Sequence, residues 1–334
     1  MKHVWLIGLL LVSATAAQDR STAPAASEPR ADRGVLAVLR RDGVIFPFAS
    51  FRGTLWSAPW PGDLREVEIP INLQAVPERW WGGSEPGAWQ AWLGDGASRP
   101  LQMVGPTQFR VHCAARLGIR TDYKAAEPVP LLPANPFPKD GLAATAGVKV
   151  EPIEIVPQSG EGWGALAVSL LKEFDSVEDV EVTAVQMRGG WKHPVPRAKR
   201  RGLPVRIESW YRINLDGGVT VSYIEGVRSY PARPEDDGCG LETLFSGWVH
   251  QRKDRSEPKV ALSARITYCD RVNATYMLPL GRIRVDNRTY WVAQLSGHES
   301  EWYAVAELSR DRAKVVVEYF AGSRESCLPF RGRS

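Results

Sequence analysis

The sequence lacks the features that define several broad classes of protein. No segment is apolar over about 18 residues, the length that a membrane-spanning helix needs, which excludes a multi-span membrane protein. Its 42 Lys and Arg nearly balance 38 Asp and Glu, and a net charge of +4 over 334 residues is too dilute to indicate a nucleic-acid partner. With 44% hydrophobic residues, 30 Gly and 25 Pro, the chain is neither a disordered polyampholyte nor a coiled coil.

The motifs that identify common enzymes are also missing. There is no Gly-x-Ser-x-Gly elbow, no Walker phosphate loop and no Rossmann fingerprint between a strand and a helix. No unit recurs at a fixed period, so a propeller is not supported. The stretch His298-Glu299-Ser300-Glu301 departs from a zinc-protease motif, which needs a second His at position 302, where Trp stands. We therefore expect no cofactor and no metal.

The first 17 residues have the pattern of a secretory signal peptide. Lys2 and His3 form a basic start, Val4–Val12 is apolar, and Ala14-Thr15-Ala16 supplies small residues for cleavage. We expect cleavage near Ala16 or Ala17 and a secreted or periplasmic product without a transmembrane segment.

Four cysteines follow the signal peptide, and an even count in an exported chain favours disulfides. Three connectivities are open. We predict Cys239–Cys269 first, because these two flank one compact stretch, and Cys113–Cys327 second. On the chain-entropy model, closing the shorter loop is worth roughly 3–4 kcal/mol. Two glycosylation sequons begin at Asn273 and Asn287, and we interpret both as chance matches.

The composition along the chain predicts a mostly β (α+β) fold in two lobes. We expect a disordered leader over 18–33, a Trp-rich β domain over 34–124, a Pro-rich linker over 125–150 and an α+β domain over 151–330. The linker carries five prolines between positions 128 and 138. Alternating segments around Asp42-Gly43 and Asp216-Gly217-Gly218 predict antiparallel hairpins.

One amphipathic helix is predicted near 160–175. Its apolar residues recur at helical spacing and would pack on a sheet: Trp163, Leu166, Ala167, Leu170, Leu171 and Phe174.

Two clusters are candidate binding surfaces. Half of the twelve tryptophans after the signal peptide lie between positions 56 and 92, where rings on Gly-rich loops suit stacking on sugars. The candidates are Trp80, Trp81, Trp89 and Trp92, with core packing as the competing interpretation. A basic stretch beside Trp191 would suit an acidic glycan or another anionic envelope polymer, with a solvated linker as the alternative; it contains Lys192, Arg197, Lys199, Arg200 and Arg201.

These observations favour an exported binding or interaction module, with two alternatives left open. The first is a hydrolase with paired carboxylates, either Glu299 with Glu301 or Glu208 with Glu225 on the two arms of one hairpin. A variant of that site would assemble His298, Glu301, His250 and Asp270 around a metal. The second alternative is a structural subunit of an envelope assembly.

Overall fold

The fold is seen in a computed structural model that describes residues 33–58, 89–93, 96–111, 114–125, 139–145, 147–158, 162–231, 239–254, 257–272, 274–298 and 300–323. The predicted signal peptide and nearly all of the predicted leader lie outside these residues. So do Trp80, Trp81, Cys113, Cys327 and Glu299.

Most of the described chain is strand, which confirms the predicted fold class. The strands of the first half are β1 Arg33–Arg40, β2 Val44–Arg52, β3 Leu55–Ser57, β4 Trp89–Leu93, β5 Ser98–Leu101, β6 Met103–Val111, β7 Ala114–Thr121, β8 Lys139–Thr145, β9 Val150–Glu151 and β10 Glu154–Ile155. Three helices follow, α1 Trp163–Ser169, α2 Leu171–Gly189 and α3 Arg197–Arg200. The remaining strands are β11 Arg206–Leu215, β12 Val219–Ser229, β13 Leu241–Arg252, β14 Lys259–Tyr268, β15 Thr275–Val285, β16 Arg288–Gly297, β17 Ser300–Leu308 and β18 Ala313–Ser323.

The strands form three antiparallel sheets. Sheet A has the order β5-β4-β8-β1-β2-β7-β6, with β3 paired to β2. Sheet B has the order β18-β17-β16-β15-β9, and sheet C has the order β10-β11-β12-β13-β14. The predicted hairpins are confirmed, because β1 pairs with β2 and β11 pairs with β12 across their Gly-containing turns.

Sheet B is the middle layer of the fold. Successive side chains of a strand point to opposite faces, and both faces of β16 are apolar. Tyr290 and Val292 enter the core shared with sheet A, whereas Trp291 and Ala293 enter the core shared with sheet C. The other face of sheet C packs against α1 and α2.

The predicted helix is confirmed and is longer than its apolar repeat indicates. Its first turns form α1, the chain bends at Leu170, and α2 continues to Gly189. Leu170 and Phe174 are fully buried against sheet C, and the Phe174 ring lies 4.9 Å from that of Phe245. After Phe174 the buried face of α2 includes Glu178 instead of an apolar residue, so the pattern no longer reveals the helix.

The predicted Pro-rich linker over 125–150 ends earlier than expected. Residues 139–145 form β8, a central strand of sheet A between β1 and β4. The segment has no proline after Pro138, so its backbone N–H groups can bond to both neighbours. The division into two lobes stays a prediction; one apolar core joins side chains of residues 35–150 with side chains of residues 283–321.

Replacing Phe174 with Ala tests how strongly the α2 layer holds the fold. The side chain is 0% exposed, and a truncation of this kind costs about 3–5 kcal/mol. We expect a clearly lower denaturation midpoint in guanidinium. Val180→Ala on the same helix is the control, because Val180 is 68% exposed and its truncation should change stability by about 0.5 kcal/mol or less. Equal shifts for the two variants would contradict this packing.

Candidate functional site

A disulfide holds one end of sheet C. Cys239 and Cys269 are bonded, with their Cα atoms 5.3 Å apart, which confirms the first predicted pair. The bond links the start of β13 to the end of β14, and the Cys269 N–H also donates to the Gly240 carbonyl at 3.1 Å. Leu241 and Tyr268, the neighbouring residues, face each other across the two strands. This end of the sheet is therefore closed covalently.

A small pocket lies against this end of the sheet. Its volume is about 140 Å³, close to the size of cavity that holds a single six-membered ring. Three separate parts of the chain line it: the segment after α2, the end of β12 and the paired ends of β13 and β14. The lining residues are Trp191, Lys192, Pro194, Val195, Tyr230, Pro231, Leu241 and Tyr268.

The segment after α2 is fixed by its own contacts. Gly190 ends the helix with φ +68°, a conformation that favours glycine. His193 then lies between two pocket rings, edge-on to Trp191 at 5.5 Å and to Tyr230 at 4.8 Å. Burial, aided by the positive charge of Arg200, lowers the pKa of His193 to about 4. The ring is neutral at pH 7 and accepts the Val195 N–H at Nδ1 at 3.0 Å.

A buried ion cluster supports the pocket from behind. Arg228 is 0% exposed and donates to Glu178 at 2.8 Å and to Asp175 at 2.7 Å, both on α2. The Tyr230 hydroxyl donates to the same Glu178 carboxylate, and Arg200 approaches it at 3.4 Å. Buried charges need such partners, because an unpaired one is costly. The cluster therefore fixes the position of Tyr230 in the pocket wall.

The structure alters the prediction for the basic stretch. Arg197, Arg200 and Arg201 all bind Asp179 of α2, at 2.7, 3.2 and 2.8 Å. Burial alone would raise the pKa of Asp179, but hydrogen bonds from Arg197 and Arg201 hold it below its usual value. Three of the five predicted basic residues thus attach α3 to α2. Of the five, Lys192 is the one that lines the pocket.

The remaining predicted binding residues differ in exposure. Lys192 and Lys199 are exposed, and neither forms an ion pair within the described chain. Trp89 is 2% exposed in the core between sheets A and B, and Trp92 packs partly buried against the same core. Core packing, the competing interpretation, therefore accounts for these two tryptophans. Trp191 was singled out only as a neighbour of the basic stretch, and nothing in the local sequence marks Tyr230, Leu241 or Tyr268.

The fold brings together one of the predicted carboxylate pairs. A bulge in β11 places Glu208 beside Glu225 of β12. Burial, aided by the negative charge of Glu208, raises the pKa of Glu225 to about 7, whereas Glu208 binds Arg271 at 2.8 Å. Glu225 is only 1% exposed, however, and its carboxylate accepts the Met277 N–H at 2.7 Å, so no substrate reaches it.

Of the other predicted carboxylate pair, Glu299 lies outside the described residues. Glu301 is buried and accepts a hydrogen bond from the Tyr303 hydroxyl. Within the residues that the structure describes, no group of three or more His, Cys, Asp or Glu side chains is placed to hold a metal ion. The same residues include no helix that is both long enough and apolar enough to cross a membrane.

A second concave surface lies on sheet B. It is an open groove of about 510 Å³, lined by Ser300, Trp302, Glu318 and Phe320. Phe320 is 52% exposed, and Trp302 faces it across the paired strands β17 and β18.

Comparisons of the chain with protein-family models, with curated proteins and with solved structures find no match.

Replacing Glu225 with Gln tests whether this carboxyl is protonated in the folded state. Its pKa is raised from 4.5 to about 7, so its stabilising proton is fully present below about pH 4.5 and is lost as the pH rises through 7. We expect the unfolding free energy of Glu225→Gln, relative to wild type, to increase by about 3 kcal/mol over this range. Glu318→Gln, on an exposed side chain, is the control for chemical denaturation at each pH. A difference that does not change with pH would show that the pKa of Glu225 is not raised in the folded state.

Proposed function

We propose that this protein is an exported binding module, and that the pocket at the disulfide-linked end of sheet C is its anchor site. The observation that carries the proposal is the lining itself. Three aromatic rings, two prolines and a leucine surround one small cavity, and a lysine without an ion pair in the described chain lies at its edge. Aromatic surface beside a cation suits a ligand with one flat or apolar group and a nearby negative charge.

The size of the pocket limits what enters it. About 140 Å³ holds one ring or one large side chain, whereas pockets for complete small ligands have volumes of about 300–1,000 Å³. We infer that the pocket takes one group of a larger molecule, and that neighbouring surfaces contribute the remaining contacts.

The lining favours binding over catalysis. Among the described lining residues, the ionisable side chains are Lys192 and the two tyrosines, and burial raises the pKa of Tyr230 well above its usual value. No carboxylate is among the described lining residues, and the one carboxylate pair that the fold assembles is buried elsewhere. The carboxylate pairs named from the sequence therefore lend the hydrolase alternative no support, since Glu225 is buried and Glu299 lies outside the described residues.

Two features support a secreted or periplasmic location. The first 17 residues have the composition of a signal peptide, and the Cys239–Cys269 bond is of a kind that persists in oxidising compartments. These features support a location of the proposed binding site outside the cytoplasm.

Indole-3-acetate, which combines a ring with a carboxylate, tests the anchor pocket. We expect binding in the millimolar range, seen as shifts of the protein amide signals in NMR titrations. Tyr268→Ala and Lys192→Gln should each weaken binding at least threefold, and tryptophol, which lacks the carboxylate, should bind less well.

Lys199→Gln is the matched control for this titration, because Lys199 is an exposed lysine of the same segment outside the lining. Loss of binding in this variant, or wild-type binding by Tyr268→Ala, would contradict the assignment.

The groove on sheet B supports a second candidate function, the binding of a glycan. Trp302 and Phe320 present aromatic surface on which a sugar ring can stack, and Ser300 and Glu318 offer hydroxyl and carboxylate oxygens to sugar hydroxyls. This combination lies outside the tryptophan cluster in which the sequence predicted sugar contacts.

A glycan array tests this groove. We expect Phe320→Ala to reduce the wild-type signal at least fivefold, because the ring is 52% exposed and contributes stacking area. Val315→Ala on the same strand is the control, since Val315 is 54% exposed and does not line the groove. Absence of any bound glycan above background, or equal signals for Phe320→Ala and wild type, would exclude glycan binding at this groove.

A further inference from the structure

The anchor pocket is continuous with an unusual sheet edge. Tyr268 lines the pocket and is also the last residue of β14, the outermost strand of sheet C. Strand β14 has ten residues and pairs with β13 over its whole length without a register shift. On its outer side, no strand of the described chain pairs with it.

The register shows which backbone groups face outward. The Cys269 N–H donates to β13, so in an antiparallel ladder the odd-numbered residues of β14 bond inward and the even-numbered residues present their N–H and C=O groups to the outer edge. No described residue hydrogen-bonds to these groups on Val260, Leu262, Ala264 and Ile266. Their side chains lie on the face that packs against α2, the same face as Tyr268 and the pocket.

The other edges of the three sheets carry devices that hinder strand addition. In sheet A, the edge strand β5 contains Pro100, and β6 contains Pro106 and a register shift. The edge strands β9 and β10 have two residues each. Strand β18 pairs irregularly, and Arg116 donates to its Ala321 carbonyl at 2.6 Å. Short strands, prolines and bulges protect edges from adventitious pairing, as do charged side chains and a covering helix. Strand β14 has none of the first three; it carries Lys259 and Arg265, and α2 packs against one of its faces.

The charges around the edge indicate the chemistry of the partner. On β14, Lys259 is held by Asp311 at 3.1 Å and Arg265 lies 3.5 Å from Glu181. Lys192 at the pocket has no such partner within the described chain. An acidic group on the ligand next to its anchor side chain would therefore meet Lys192.

From these observations we infer that β14 accepts an extended polypeptide segment of a partner protein as an added strand, with one aromatic or large apolar side chain in the anchor pocket and an acidic group beside Lys192. Main-chain hydrogen bonds along the edge would supply affinity, and the pocket would supply specificity. The inference rests on the proposed function, because it assigns a ligand class to the same pocket.

The probe is a phage-displayed library of random twelve-residue peptides, selected on the full-length folded protein. We expect enriched sequences to combine β-forming residues with an aromatic or leucine residue close to Asp or Glu. Absence of enrichment over an uncoated surface would overturn the inference.

Ala264→Pro tests the edge itself. Proline removes the outward N–H of residue 264, which does not bond to β13. The sheet is therefore retained, while the addition of a strand is blocked. We expect the selected peptides to bind this variant at least tenfold more weakly, with indole-3-acetate binding unchanged. Ala261→Thr is the control, because Ala261 is exposed and bonds inward.

Peptides with N-methylated backbone amides provide the second measurement, which holds even where Ala264→Pro fails to fold. N-methylation should abolish binding at alternate positions only, since alternate amides of an added strand face β14. Equal tolerance at all positions, or edge-dependent dimerisation of the protein without peptide binding, would overturn strand addition. Absence of indole-3-acetate binding by the wild-type protein would instead contradict the assignment of the anchor pocket and the proposed function.

Discussion

The buried guanidinium of Arg228 constrains much of the structure around the site. It is fully buried on β12, and its two terminal nitrogens donate to Glu178 and Asp175 of α2 and to the Leu203 carbonyl. Loss of one partner in such a cluster costs about 3–5 kcal/mol, because a charge is left buried without compensation. Sheet C, α2 and the segment before β11 are thus required to stay together, and Tyr230 is held two residues farther along the chain, directly after β12.

The same part of the structure shows how the basic run of the sequence is attached to α2. Asp179 lies one residue after Glu178 on α2 and forms salt bridges with Arg197, Arg200 and Arg201. Arg200 also approaches Glu178, so one side chain belongs to both groups. These charges hold α3 against the helix, and Lys192, outside this network, is the cation that faces the pocket.

The parts of the fold that depend on local sequence could be predicted, and the site could not. The turn around Asp216-Gly217-Gly218, the helix beginning at Trp163 and the Cys239–Cys269 bond each rest on residues that are close in the chain. The pocket instead joins the end of β12, the paired ends of β13 and β14, and the segment after α2, and no periodicity relates these segments. Composition also does not show which aromatic side chains are buried. Trp89 lies in a core, whereas Tyr268 is 46% exposed at the site.

Rigidity is what makes so small a pocket a plausible anchor. Each wall is held by contacts within the protein. The strand ends are held by the disulfide and the Leu241–Tyr268 pair, Tyr230 by its bond to Glu178, and the segment after α2 by the Gly190 turn and the contact of His193 with Tyr230. Binding one ring gains only a few kcal/mol, and ordering a loose side chain costs roughly 0.5–1.5 kcal/mol. Because the walls are already ordered, most of that gain remains available for affinity. A ligand that also bonds to a neighbouring backbone edge would add contacts there without requiring the protein to reorganise.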